Sequence, residues 1–386
     1  MTRENNKVRL GVIGYGYMGS SHIKYILAGD VQETELTAVA EVSESGFEAA
    51  RAAVPDNVRL FRSDEELIAS GLCDAVLIAL PHYDHPACAI NAFEHGLHVL
   101  CESPAGVYTK QVREMNQTAA EHPELVFGIM LDQRANSVYK KMHGLVTGKT
   151  LGEIKRVNWI ITDCYRPQSF YDSCTWQATW DGGGGGALLN QCPNSLDLLQ
   201  WICGMPTAIR AFCHNGKWHD IEVEDDVTAY MEFANGATGV FVTSTADAPG
   251  TNRFEITLER GKLVCEDGKL TVYMLDVSER EFCMAAAGSF DAPPLKATDV
   301  VTDGSNPRHK AVLNAFNARI LRGEPLIANG AEGINGLTIS NAMHMSGWLS
   351  KTIRIPFNED MFMGELNNRR KKSRANRISR AGLFDT

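Results

Sequence analysis

Between Val8 and Gly19 the chain reads V-R-L-G-V-I-G-Y-G-Y-M-G, an apolar, β-branched run that stops at Gly14-x-Gly16-x-x-Gly19. This pattern predicts a strand, a tight turn and a helix over Tyr17 to Leu27. Each glycine has its own reason: Gly14 lets the chain turn, Gly16 lets backbone approach a pyrophosphate, and Gly19 lets helix pack on strand. The pyrophosphate would rest on the unpaired N–H groups of the helix start, beside Tyr17 and Met18.

Glycines in this spacing carry little alone, so what lies about 20 residues further on decides. A second apolar strand, Glu35 to Ala40, ends in Glu41. A carboxylate there accepts both hydroxyls of an adenosine ribose and repels a 2′-phosphate, which favours NAD over NADP. The ordinary alternative is a glycine turn with a surface Glu at a strand end.

At 386 residues the chain is long enough for two domains, and 44% hydrophobic content supports sizeable cores. The boundaries read as a dinucleotide-binding domain over 1–131, a substrate and oligomerisation domain over 132–366, and a basic tail over 367–386. No run approaches the roughly 18 apolar residues of a membrane span, and Met1 to Lys7 is polar, so a cytoplasmic protein without membrane partners is expected. Ten cysteines without a C-x-x-C pair suit reduced thiols, not disulfides or a metal site. A net charge of −10 argues against nucleic acid as partner.

The first 130 or so residues alternate strand and helix, the grammar of a doubly wound parallel α/β sheet. Expected elements are a helix Glu44 to Ala53, a strand Val58 to Phe61, a helix capped by Ser63 and running through Glu66, and a strand Ala75 to Leu80. A helix Ala87 to His95, a strand His98 to Cys101 and a strand Val126 to Met130 complete the set. Ligands of such sheets bind at the carboxyl ends of strands. The turns holding Leu80, Pro81, His82 and His85, and Glu102-Ser103-Pro104, should therefore line the cofactor crevice, with Arg134 beyond the last strand placed on the same side. His82 and His85 also read as plain turn residues.

After a helix over Ser137 to Thr147, antiparallel meanders begin at Ile154. Asn235-Gly236 and Asp267-Gly268 mark hairpins. A large, open, mostly antiparallel sheet covered on one face by helices leaves its other face for a homo-oligomer partner. Helices are expected at His309 to Leu321, which could pack back across the domain junction, and at Ile334 to Leu349. Ser278 to Asn306 reads as irregular loop. Arg369 to Arg380 holds seven Lys or Arg in twelve positions, either an anion- or nucleic-acid-binding tail or, as the blander reading, a solvated or subunit-wrapping one.

The most informative stretch of the second half runs from Tyr165-Arg166 through Tyr171, Trp176 and Trp180 to the five glycines Gly182 to Gly186. Such a run is conformationally costly unless backbone must approach a ligand or another chain segment closely. The aromatic residues suit a polyhydroxylated ring, or else are core. One helix, Ala187 to Cys203, would put Asn190, Asn194 and Asp197 on a shared face, with Pro193 tolerated if the helix proper starts near Cys192 and kinking it otherwise.

Four blocks together resemble the Gfo/Idh/MocA family of glucose–fructose oxidoreductases and inositol dehydrogenases, over the chain to about Leu366. They are Gly14-x-Gly16-x-x-Gly19, Leu80-Pro81-x-x-x-His85, Cys101-Glu102-x-Pro104 and Gly184-Gly185-Gly186-x-x-x-Asn190 continuing to Asp197. The resemblance implies a Rossmann domain plus an open-sheet α/β domain, NAD(P) as hydride carrier, and sugars, polyols or glycosides as substrates. It assigns Glu41 to the ribose, Pro81 and His85 to the dinucleotide crevice, and Glu102 to the nicotinamide side. This chain departs from the family where protons are handled. Ser103 stands where relatives usually carry Lys, Asn194 where they carry His, and Asn190 where they often carry Asp. None of these three can act unaided as a base near neutral pH.

Three readings follow. A working NAD-dependent oxidoreductase would use a relocated base, with Tyr165 preferred over Asp163, Asp181 and Asp197, and would bind substrate through Tyr171, Trp176, Trp180 and Asp197. A redox-silent protein would bind NAD and a sugar. An NAD-retaining, glycoside-processing enzyme would be net redox-neutral, although it too needs bases.

Overall fold

The computed structural model describes residues 7–173 and 175–381, which divide into two compact units. The first comprises residues up to Ala135 together with Pro307–Leu337; the second comprises Asn136–Asn306 and the chain from Thr338.

The first unit opens with β1 (Val8–Ile13), α1 (Tyr17–Leu27), β2 (Thr34–Ala40) and α2 (Glu44–Ala53), close to the expected bounds. β3 (Arg59–Phe61) and α3 (Asp64–Ala69) follow, with the Ser63 hydroxyl accepting from the Glu66 N–H as its cap. Next come β4 (Ala75–Ile78), α4 (His85–Glu94), β5 (His98–Cys101), α5 (Thr109–Glu121) and β6 (Phe127–Ile129). The six strands are parallel in the order β3-β2-β1-β4-β5-β6, the doubly wound arrangement expected. α4 begins two residues before the expected start because Pro86, fixed near helical φ, fits its first turn.

The second unit contains α6 (Ser137–Thr147), β7 (Ile154–Ile161), α7 (Gln168–Ser173), α8 (Ala187–Asn190), α9 (Pro193–Cys203) and the strands β8 (Ala208–Asn215), β9 (Glu224–Glu232), β10 (Thr238–Ser244), β11 (Asn252–Leu258), β12 (Gly261–Glu266) and β13 (Lys269–Leu275). Asp267 and Gly268 both adopt positive φ, the two-residue turn that joins β12 to β13 without splaying them. The stretch expected to be irregular instead carries α10 (Glu279–Ala285) and β14 (Leu295–Val300). β14 shows no alternation because nearly all of it is exposed, and its ladder with β13 holds it in place.

α11 (Arg308–Arg322) belongs to the first unit, not the second: Val312, Leu313 and Phe316 are buried with Val8, Leu10 and Val12 in that unit's core. α12 (Gly333–Leu349), β15 (Ile353–Arg354) and α13 (Glu359–Ala381) end the described chain. The basic segment is thus a helix where described; Arg370 and Arg374 both pair with Asp181.

The second sheet runs β14-β13-β12-β11-β7-β10-β9-β8-β15, with β7 and β10 parallel and the other neighbours antiparallel. Residues alternate along its strands: Phe254, Ile256, Val157, Trp159 and Phe241 face a dry core, while Ile160, Tyr230 and Phe212 stand exposed on the opposite face. Among the described residues no helix is long and apolar enough to cross a membrane, and no group of His, Cys, Asp and Glu is arranged to hold a metal ion.

Candidate functional site

In the first unit the three glycines sit in three different surroundings. Gly14 takes φ +95°, and a Cβ there would lie 2.4 Å from the Ala79 carbonyl oxygen. A Cβ on Gly19 would meet the Gly14 oxygen at 1.9 Å, so this contact sets how closely α1 sits on β1. Gly16 faces open space, with no heavy atom within 4 Å of a Cβ built on it. The backbone at Gly16 is thus open to close approach, as a pyrophosphate contact would need. Beside it Tyr17 is largely exposed and Met18 half-buried.

Glu41 stands just past β2. Its Oε2 accepts from the Tyr15 N–H at 2.8 Å, and its Oε1 accepts from the Ser43 N–H at 2.8 Å and the Ser43 hydroxyl at 2.6 Å. The carboxylate is therefore oriented by the turn after β1, and each oxygen keeps lone-pair capacity for a ribose hydroxyl. Gly46 leaves it room: a Cβ there would be 2.8 Å from Glu41 Cγ.

His85 acts as a strut between the two crevice turns. Its Nε2 lies 2.7 Å from the Leu80 carbonyl and its Nδ1 2.9 Å from the Pro104 carbonyl. Burial pushes its pKa below the usual imidazole value despite the two carbonyls, which favour the charged form. Pro81 shapes the same loop by accepting from the Asp84 N–H. The neutral ring has one N–H to donate to one of these two carbonyls, and it sits between Leu80 and Pro104 inside the unit.

Glu102, at the carboxyl end of β5, is enclosed. Burial alone would raise its pKa, but His22, with Nε2 2.6 Å from Oε1, nearby His309 and the Ser103 N–H at 3.0 Å outweigh that and hold it below the carboxylate range. His309 contacts His22 edge-on at 5.4 Å between ring centroids and lies 3.9 Å from Asp132, which Arg308 also pairs at 3.0 Å. Burial depresses the His309 pKa, with Asp132 acting in the opposite direction. Arg134 is buried and pairs with Glu332 at 2.6 Å. His22, His309 and Arg308 were not singled out from sequence. The available signal was a His on the buried face of α1, which reads as core until Glu102 is seen beside it.

In the second unit the glycine run approaches its own chain. A Cβ on Gly186 would lie 2.0 Å from the Glu224 carbonyl oxygen, one on Gly185 2.8 Å from His344 and one on Gly182 2.5 Å from the Trp176 oxygen. The buried Glu224 carboxylate fastens the run, accepting from the Gly186 and Leu188 N–H groups at 2.9 and 3.0 Å with His344 3.0 Å away. Although burial opposes ionisation of Glu224, His344 and the Gly186 amide hold its pKa below the usual range.

The expected single helix over Ala187 to Cys203 is two, α8 and α9, because Pro193 lacks the N–H to continue one and opens the second after Cys192. Asn190 therefore leaves the helical face shared by Asn194 and Asp197. The Asn190 Nδ2 donates to the Gly185 and Gly186 carbonyls, both at 3.0 Å. Its Oδ1, and that of Asn194, are buried with no hydrogen-bond partner among the described residues.

The aromatic residues divide. Tyr171 is enclosed, donating to Thr245 Oγ1 at 3.0 Å, and Trp180 is enclosed edge-on to His344 and Trp348. Neither ring stands open as a stacking face, which corrects the expectation for both. Trp176 is half-buried and Tyr165 is 50% exposed. Of the carboxylates weighed as bases, Asp181 is held below its usual range chiefly by its hydrogen bond from Arg374, against partial burial, and Asp197 is buried and accepts from Gln200 at 2.9 Å. Ser103 is half-buried beside Glu102.

Comparison with known proteins adds three findings. Residues 8–128 match the family model "Oxidoreductase family, NAD-binding Rossmann fold", and residues 139–264 match the "GFO/IDH/MocA C-terminal domain". Among curated proteins, inositol 2-dehydrogenase of Leifsonia xyli subsp. xyli is 28% identical over 52% of this chain and 55% of its own length. Inositol 2-dehydrogenase 2 of Paenarthrobacter aurescens is 24% identical over 88% of this chain and 96% of its own. The alignment thus spans little more than half of the first relative and nearly all of the second. Among solved structures, the WlbA dehydrogenase of Bordetella pertussis, in complex with NADH and UDP-GlcNAcA, superposes with TM-score 0.74 at 23% identity over 91% of this chain and 100% of that one. A levoglucosan dehydrogenase in complex with NADH gives 0.75 at 19% identity over 91% and 100%. At such identities these two attest the fold.

Proposed function

Since the chain belongs to the Gfo/Idh/MocA oxidoreductase family, its first unit being that family's NAD-binding Rossmann domain, we propose that it oxidises a secondary hydroxyl of a sugar or polyol with NAD as hydride acceptor. The observation that carries the substrate half is the pair of buried, unpartnered amide oxygens, Asn190 Oδ1 and Asn194 Oδ1. A buried acceptor without a donor costs about 1–3 kcal/mol, and a polyol hydroxyl supplies that donor. The names of the relatives agree in kind: inositol, levoglucosan and a nucleotide sugar acid are all polyhydroxylated.

On the cofactor side, Gly14, Gly16 and Gly19 with Tyr17 and Met18 receive the pyrophosphate, and Glu41 takes the ribose hydroxyls and disfavours a 2′-phosphate. Leu80, Pro81 and His85 shape the crevice, while Glu102, held by His22, and Arg134, held by Glu332, stiffen its far end. NAD, when bound, supplies the hydride-accepting carbon. Asn190 and Asn194 orient the hydroxyl. Ser103 can pass a proton but not keep it. Within the second unit, Tyr165 Oη is our choice of base for the substrate hydroxyl, since Asp163 accepts from Asn252, Asp181 from Arg374 and Asp197 from Gln200.

The substituted positions favour a second reading, a redox-silent binder of NAD and a sugar, because Ser103, Asn190 and Asn194 offer no titrating group near neutral pH. Absorbance of reduced nicotinamide, followed with NAD and a panel of inositols, anhydrosugars and sugar acids, separates the two. Turnover that is lost in Tyr165→Phe supports the oxidoreductase with this base, whereas NAD binding without turnover across the panel supports the silent binder. We further infer a homo-oligomer joined through the open sheet face bearing Ile160, Tyr230 and Phe212, and a reducing, cytoplasmic setting consistent with the free buried thiols Cys73, Cys88, Cys101 and Cys192.

A further inference from the structure

A groove of about 810 Å³ lies within the second unit, between α13 and the segment that holds Trp180, in the size range of small-molecule sites. Its frame is fixed electrostatically. Arg370 and Arg374 reach Asp181 at 3.3 and 2.9 Å and fasten α13 beside Trp180. The Arg369 guanidinium is already satisfied by Glu365 at 2.8 Å and by the Trp348 ring 4.0 Å away, so that pair adds no net charge to the lining.

What remains is chemically specific. Lys371 and Lys372 stand exposed on the rim. Asn215 and Asn368 offer amides, and the enclosed Trp180 closes the floor. Two polar atoms of the lining are buried and find no partner among the described residues: Oγ of Ser373, a residue only 2% exposed, and Oε2 of Glu222. A helical serine that bonds no described backbone or side-chain group has a hydroxyl able to take a ligand partner, and Glu222 Oε2 accepts from a donor such as a sugar hydroxyl.

We propose that this groove binds a polyhydroxylated ligand carrying one anionic group, a sugar phosphate or a sugar acid. The anion lies against Lys371 and Lys372, while the hydroxyls satisfy Glu222 Oε2 and Ser373 Oγ. Amides and a carboxylate recognise hydroxyls, and paired cations recognise the anion. The site is formed by the second unit alone and does not depend on the redox reading.

Isothermal titration of the full chain without NAD tests this, using glucose 6-phosphate, glucuronate, glucose and inorganic phosphate as probes. Glucose 6-phosphate or glucuronate should bind roughly tenfold tighter than glucose, and Lys371→Gln with Lys372→Gln should remove that advantage. Which of the two anionic sugars binds tells phosphate from carboxylate. Glu41→Ala should leave this affinity unchanged, which separates the groove from the dinucleotide site. The proposal fails if neither anionic sugar binds, if the double lysine variant binds like the parent, or if inorganic phosphate binds as tightly as glucose 6-phosphate. Because both lysines are exposed, the variant should keep the parent's circular dichroism. None of these results bears on nicotinamide reduction.

Discussion

His22 Nε2 lies 2.6 Å from Glu102 Oε1, joining α1 to the carboxyl end of β5 across 80 residues of sequence, with both side chains buried. Removing one partner of such a pair strands a buried charge, which costs about 3–5 kcal/mol. His22→Ala should show that loss in urea unfolding. The paired Glu102 carboxylate has a depressed pKa, so its contribution is fully present above the unfolded value of about 4.3 and is lost as pH falls through the lower folded value. The acid limb of the parent's stability profile should therefore be steeper than that of His22→Ala.

Gly16 and Gly19 are three residues apart and should respond oppositely to the same substitution. Gly19→Ala drives a methyl into the Gly14 carbonyl and should cost several kcal/mol in unfolding free energy, on the order of an overpacked core site. Gly16→Ala meets open space, so stability should stay within about 0.5 kcal/mol of the parent while NAD affinity, measured by calorimetry, falls.

Glu41→Ala removes the acceptor that Tyr15 and Ser43 hold in place. Hydrogen bonds to a charged group are worth about 1.5–3 kcal/mol, so NAD affinity should drop by tenfold or more, with NADP affected less. Equal NAD affinity in the variant and the parent would rule out the ribose role.

His85 is buried with its pKa below that of an exposed imidazole, so folding disfavours its protonation. Its contribution is intact above about pH 6.5 and declines as pH falls from there toward the folded value. Denaturation midpoints recorded over that window should decline more in the parent than in His85→Gln.

Ser103→Lys combined with Asn194→His supplies a Lys and a His at the two positions where relatives usually carry them. Nicotinamide reduction with a polyol should rise well above the parent's. If the parent already turns over as fast, these positions do not limit it.

The first sheet was legible because its evidence is local. Apolar runs between glycine and proline turns gave β1, α1, α2 and β5 nearly to the residue. α5 was missed, since its polar Thr109–Glu121 stretch buries only a narrow face. β14 was missed because its ladder partner, not its own pattern, makes it a strand.

Spacing and residue type along the chain were enough to determine the Rossmann turn, an acid at the end of the second strand and the antiparallel hairpins, since each depends on neighbours within a few residues. Only the tertiary structure decided that the glycine run serves Glu224 and His344, that Tyr171 and Trp180 are enclosed, that His85 is a strut, and that α11 belongs to the first core. Those outcomes depend on burial and on partners far away in sequence, which no local pattern encodes.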